Sequence, residues 1–353
     1  MKSNLKQVMR LVAVAFVASL TLTACGKGCT KRQAAKAESL KLIPVDSNVL
    51  IGINWKKTQA SPLGPKLSEG IPPEAKALLQ NIDSLVLGAN VDSIMPTLST
   101  GTPKEPKDVI GVVDGKVDKE AWLKEMKDRL AKNSASPQEE DYEGVKIYSD
   151  PTPKGISIAF LGEQTLFGMK ESVKKAIDLS KGKGDSIEKN KAVMDIVKGL
   201  DKGKMLWAVA LIPEGTIPAG AEGGAGNPMN ALSSMKSLDL ALDYNGNLLL
   251  DLGIFTATKE SAQQMMTMAN SYKTLFGGTL ASKSPELGKI LGGLSIDAKE
   301  NKVVLTLKLD QATVEELAKK AKEGSPGMVP PSNPSEVVPP AASVSPETAP
   351  ALP

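Results

Sequence analysis

The chain contains no histidine. That excludes Ser-His-Asp and Cys-His nucleophilic catalysis, histidine general bases and histidine-ligated catalytic zinc. Cysteine is nearly absent too: Cys25 and Cys29 are the two present, too few for a disulfide framework. Aromatics make up 3% of residues, so aliphatic side chains must fill any core. Excess charge of one sign is also missing, with 43 Lys and Arg against 40 Asp and Glu. Lys2, Lys6 and Arg10 have no acid among residues 1–24 to balance them, which leaves the remainder formally neutral. With no basic patch interleaved with aromatics, this balance argues for no nucleic-acid partner.

One long hydrophobic run is present, LVAVAFVASLTL at residues 11–22, preceded by those three cations. It is too short for a permanent bilayer span and reads as a secretory signal. The run closes on Leu22-Thr23-Ala24-Cys25. Leucine, two small or hydroxylated residues and a cysteine in this order resemble the lipobox of bacterial lipoproteins. The resemblance covers about the first 25 residues. It implies a thioether-linked diacylglycerol on Cys25, cleavage between Ala24 and Cys25, and acylation, for example with palmitate, of the new amino terminus. Several acyl chains at about 0.8 kcal/mol per buried methylene make such an anchor effectively permanent. Gly26 stands where aspartate would resemble an inner-membrane retention signal, so the same resemblance implies the outer membrane, with the body facing the periplasm.

Lipidation consumes the Cys25 sulfur and rules out an intramolecular disulfide. Cys29 is then an unpaired thiol, either inert or able to bridge two copies. Lys27, Lys31, Arg32 and Lys36 follow the anchor. Each gains about 1 kcal/mol beside anionic headgroups, or the four form a solvated tether.

Beyond the tether, Pro44-Val45-Asp46-Ser47-Asn48-Val49 opens a strand within residues 43–54. Ser61-Pro62-Leu63 and a helix at 74–81 follow. This opening resembles poorly characterised families of exported α+β bacterial proteins, which implies no particular activity. Strands are expected at 83–91, 108–117, 145–149, 156–161, 165–169 and 205–212. Leu238, Leu240, Leu242 and Tyr244 alternate with Asp239, Ala241 and Asp243 before Asn245-Gly246, and Leu248, Leu250, Leu252 and Ile254 resume the apolar face. Asn-Gly suits a type I′ hairpin turn. A second hairpin is expected at 294–298 and 303–309.

Asp118 caps a helix carrying Trp122, Leu123, Met126 and Leu130 on one face, and Thr258 caps one carrying Ala262, Met265, Met266, Ala269, Tyr272 and Phe276. Further helices are expected at 172–180 and 313–322, the latter with a Thr313…Glu316 capping box. Helix starts at Asp118 and Ser172 recur at Thr258 and Thr313, about 140 residues later in both cases. The expected fold class is α+β: two tandem repeated units of antiparallel β-hairpins with helices packed on one face, plus a disordered C-terminal tail. The boundaries are a signal peptide at 1–24, a lipidated tether at 25–40, a first unit at 41–212, a Gly-rich linker at 213–227, a second unit at 228–324 and a Pro-rich tail at 325–353. The tail, a spacer or a passive solubiliser, reaches on the order of 90 Å if it extends as polyproline II.

No constellation carries recognisable chemistry. Gly182-Lys183-Gly184-Asp185-Ser186 lacks the spacing of a phosphate loop and follows a helix, where it reads as a terminator. Glu139, Glu140 and Asp141 lack the alternation of a calcium loop and read as a solvated turn. Asp239 and Asp243 share one strand face, Asp251 opposes them across the hairpin, and all three are expected in solvent. Met265, Met266 and Met268 fill a core or line an adaptable groove. No cofactor or metal ligand set is identified. These residues describe a lipid-anchored envelope protein with a non-catalytic binding or structural role, touching membrane lipid through Cys25 and envelope proteins or the cell wall through its body. The alternatives are a carrier or sensor of an apolar ligand, and a histidine-independent enzyme using carboxylates.

Overall fold

The computed structural model describes residues 37–62, 64–65, 79–90, 108–132, 134–152, 155–214 and 232–322. The signal, the lipidation site, the tail and most of the tether, of the helix expected at 74–81 and of the linker lie outside these residues. The strands are β1 (Val49–Ile53), β2 (Ile82–Ala89), β3 (Ile110–Gly115), β4 (Gln138–Tyr142), β5 (Val145–Ser149), β6 (Ser157–Leu161) and β7 (Gln164–Gly168). They continue with β8 (Leu206–Leu211), β9 (Met235–Tyr244), β10 (Leu248–Thr256), β11 (Leu294–Lys299) and β12 (Lys302–Leu309). All join one antiparallel sheet in the order β11-β12-β10-β9-β8-β1-β2-β3-β7-β6-β5-β4. β8 pairs with β1 on one side and with β9 on the other, so the two halves of the chain share a continuous ladder.

The helices are α1 (Ala37–Leu40), α2 (Trp55–Ala60), α3 (Lys119–Ala131), α4 (Lys170–Ser180), α5 (Lys191–Gly199), α6 (Lys259–Lys283), α7 (Pro285–Gly293) and α8 (Gln311–Lys322). They do not share one face of the sheet, which corrects the expectation. Leu166 and Phe167 are neighbours on β7 and point to opposite sides. Leu166 joins a core with Val173, Ala176 and Ile177 of α4 and Val193 and Val197 of α5. Phe167 packs with Trp122, Leu123, Met126 and Leu130 of α3. Strands in the first half are therefore covered on both sides, and β3, buried at every residue, shows it most plainly. In the second half α6, α7 and α8 all cover the side bearing Leu242, Tyr244, Ile254 and Leu309. Among the described residues no helix lies across most of the other side, which bears Asp251, Val304 and Thr306.

Local signals explain most helix boundaries. The Asp118 carboxylate accepts from Ala121 N at 2.9 Å and the Thr258 hydroxyl from Ser261 N at 3.1 Å, both as expected. The Thr313 capping box is not formed. Asp310 caps α8 by accepting from Thr313 N at 2.7 Å, while Glu316 pairs across to Lys289 of α7. That backbone bond holds the Asp310 carboxyl below its usual range. The Asn245-Gly246 turn also differs from type I′. Tyr244 pairs with Leu248, leaving a three-residue loop in which Gly246 takes the positive φ of 101°.

Tyr244 is 1% exposed, and its hydroxyl has no hydrogen-bond partner among the described residues. Burial, then the charge of Glu315, pushes its pKa up. A pKa raised by folding adds stability that is complete below the unfolded value of about 10 and is lost as pH rises through the folded value. Tyr244→Phe is expected to leave stability unchanged or slightly higher at pH 7, because a buried unpaired hydroxyl is removed. It should also flatten the loss of stability above pH ~10. Urea midpoints of both proteins across that range check this, and parallel curves would contradict it.

Candidate functional site

An open groove of about 690 Å³ lies at the junction of the halves, where the ends of β8 and β10 and the start of β9 meet α5 and the β11–β12 turn. That volume falls within the range of small-molecule sites. Its walls include Ile196 of α5, Leu211 of β8 and Phe255 of β10. Glu214 and Lys236 on the rim pair with each other, and this bond holds the Glu214 carboxyl below its usual range. Ser237 lines the groove at 5% exposure.

Four backbone amides around the groove are already engaged. Leu211 N donates to Asn48 O, Ile212 N to Lys236 O, Thr256 N to Asn301 O and Ala257 N to Ser234 O. The Asn301 amide donates to Thr256 O at 3.2 Å.

The carboxylates singled out in the sequence are not in solvent. Asp239 is 6% exposed and bonds the Lys302 ammonium at 2.6 Å, which also sits 4.6 Å from the Phe255 ring centroid. Asp243 meets Lys57 of α2 at 2.7 Å and Lys204 at 3.8 Å, tying the first half to the second. Asp251 accepts from the Thr306 hydroxyl at 2.8 Å. The expectation fails because their partners come from distant strands and helices: Lys57 lies 186 residues from Asp243.

Sequence reasoning missed Asp114, 1% exposed on β3. It accepts from the Ser39 hydroxyl of α1, from Ser84 at 3.0 Å and from the Gln164 amide at 3.1 Å. These donors neutralise no charge but satisfy the carboxylate's lone pairs, the condition for burying it. The only local hint was an acid inside an apolar strand.

Glu139, Glu140 and Asp141 form an edge strand, β4, and not a turn. Glu140 pairs with Lys170 and, at 2.8 Å, with Lys174; Glu139 pairs with Lys146. Lys170 first and then Lys174 hold the Glu140 carboxyl below its usual range. Such a charged border discourages pairing with another sheet. Met265 is buried and Met266 partly buried in the core beneath α6. Gly182 ends α4 at φ 76°. Among the described residues no three His, Cys, Asp or Glu converge to hold a metal, and no helix is long and apolar enough to cross a membrane.

No family model matches the chain. It is 24% identical to the uncharacterized protein MJ0635 of Methanocaldococcus jannaschii over 205 residues, 58% of this chain and 69% of that protein. Among solved structures, crystal form III of TP0453 covers 82% of this chain and 99% of its own at a TM-score of 0.47 and 8% identity. Crystal form I covers 81% and 98% at 0.44 and 6%.

Proposed function

We propose that this is a lipid-anchored protein of the bacterial envelope with a non-catalytic binding role. The observation that carries the reading is Leu22-Thr23-Ala24-Cys25 closing an apolar run behind Lys2, Lys6 and Arg10. Lipid on Cys25 holds the body at the outer membrane on its periplasmic side, where it meets envelope proteins or the cell wall. The complete lack of histidine supports a role without catalysis. In cells fed labelled palmitate, the wild type is expected to incorporate label and Cys25→Ala to fall to background. Equal labelling would overturn the anchor.

The body is read as an internal duplication. Ile51 faces Leu87 as Ala208 faces Leu240, and Leu87 faces Gly111 as Leu240 faces Leu252. Gly111 faces Phe167 as Leu252 faces Leu305, and Phe167 faces Ile158 as Leu305 faces Ile296. A register shift separates Ile82 from Ser84 against Gly115 and Asp114. The same shift separates Met235 from Ser237 against Thr256 and Phe255. The β6–β7 and β11–β12 turns both begin on a positive φ, 59° at Gly162 and 51° at Glu300. An experimental structure whose halves lacked these matched shifts would remove this reading. A second functional reading, carriage of an apolar ligand, is favoured by the groove lined by Ile196, Leu211 and Phe255.

A further inference from the structure

The outer face of α6 is short of charge. From Ser261 to Ser282 the helix carries a single charged residue, Lys273, in a chain that is 24% charged. Even that ammonium is drawn inward, donating to the Leu294 carbonyl of β11. Tyr272 and Leu275 are the two large hydrophobic side chains exposed among the described residues, at 48% and 69%. Around them Gln264, Thr267, Ser271, Thr274 and Thr279 are exposed, all polar and none ionised. The opposite side of the helix, bearing Ala262 and Met265, is buried on the sheet, so this face points away from it. A helix face that meets only water has no reason to exclude charge, since charged side chains are the most readily solvated. One that meets a lipid boundary does, because ionised groups are costly there while hydroxyls, amides and a tyrosine ring are at home among headgroups.

The place where the tether joins the body supports the same partner. One unbroken row of paired residues crosses the sheet from Val113 of β3 through Ile53, Leu206 and Leu250 to Leu294 of β11. Asp114, which holds Ser39 of α1, stands beside one end of that row, and Leu294, which holds Lys273, is the other end. α1 and the exposed part of α6 therefore lie at the same ends of the strands, on opposite faces of the sheet. Residues 25–36, between the lipidation site and α1, span about 40 Å at full extension. That is twice the roughly 20 Å between helix layers on the two sides of a sheet, at about 10 Å per packed layer. A lipid on Cys25 can pass the strand ends and reach the plane in which Leu275 lies.

We propose that the outer face of α6, centred on Tyr272 and Leu275, rests on the lipid bilayer. Its partner is the uncharged part of the membrane interface, the glyceryl esters and upper acyl carbons, because the face offers no cation to an anionic headgroup. Two side chains make a weak contact on their own. The anchor keeps the bilayer at high local concentration, so a weak contact suffices, and the contact fixes which side of the body meets the membrane. The inference rests on the lipid anchor proposed above and adds the orientation: α4, α5 and the groove face away from the membrane.

The full lipidated chain in phosphatidylcholine vesicles whose acyl chains carry a diazirine, mapped by peptide mass spectrometry after irradiation, tests this. Label is expected on the α6 peptide holding Tyr272 and Leu275, severalfold above peptides of α4 and α5. Leu275→Glu should cut α6 labelling about tenfold, the change that corresponds to losing one buried leucine. The same variant should leave the urea midpoint and the amount of protein sedimenting with the vesicles unchanged. Added phosphatidylglycerol or raised salt should leave α6 labelling as it was. Label concentrated on α4 or α5, α6 labelling unaltered by Leu275→Glu, or a severalfold rise with phosphatidylglycerol would overturn the assignment. So would a dimer in detergent that Leu275→Glu dissociates, which would give the face to a second copy. Palmitate incorporation and sedimentation with vesicles report the anchor separately, so label placed elsewhere on sedimenting, palmitate-bearing protein sinks the orientation alone.

Discussion

Trp207→Ala is expected to lower stability by about 3–5 kcal/mol, the range for removing a large buried aromatic. Trp207 is 1% exposed on β8 and faces Gly52 of β1, so it stands at the joint of the two halves. The indole occupies the space a side chain at residue 52 would take: a Cβ there would lie 2.0 Å from Trp207 Cε2. On its own face it packs with Leu50, Val86 and Val209 in the largest buried cluster. Deleting it leaves a cavity that a single β1–β8 ladder cannot close without shifting both halves. Urea unfolding followed by circular dichroism measures the loss. Gly52→Val should produce a comparable effect from the opposite side of the contact, by overpacking. A loss below ~1 kcal/mol in both variants, well short of what overpacking alone is expected to cost, would mean the joint is not where the halves are held.

Asp114→Ala is expected to cost about 2–4 kcal/mol, because it leaves buried donors from Ser39, Ser84 and Gln164 without an acceptor. The effect should be local as well as global. Ser39 belongs to α1, the first described element, which occupies the last residues of the expected tether, and its bond to Asp114 spans 75 residues. Losing that bond should loosen residues 37–43. Hydrogen exchange is expected to accelerate there before it does in β9 and β10. Uniform acceleration across the sheet would contradict the idea that Asp114 pins the start of the folded body.

Much of the fold was legible in the sequence where its period was long enough to read. The β9–β10 hairpin announced itself through Leu238 to Ile254, and the caps at Asp118 and Thr258 through residue type alone. The short α7 was missed although Ser284 caps it and Pro285 opens it, as was α5 behind Asn190. β4 was misread because QEEDY has no apolar alternation. It is an edge strand held by lysines from β5 and α4, none of which a local pattern can reveal. Two-sided cover was illegible for a similar reason, since five-residue strands such as β7 give too few positions to distinguish one apolar face from two.

The site was less legible still. The groove gathers Asn48, Ile196, Ser237, Phe255 and Asn301 from across the chain. The acids Asp239 and Asp243 looked like a solvated row because alternation places them on one face. Whether that face is wet depends on Lys302, Lys57 and Lys204, which the sheet brings in from elsewhere. Burial of charge is a tertiary property, and composition does not report it.

The central claim is the covalent tie to the membrane, and mass spectrometry of the native protein extracted from cells tests it most directly. The amino-terminal peptide is expected to begin at Cys25 and to carry a diacylglyceryl group on sulfur and an acyl group on nitrogen, with the protein released only by detergent. A peptide beginning at Met1, or an unmodified Cys25 in protein that washes free without detergent, would contradict the account.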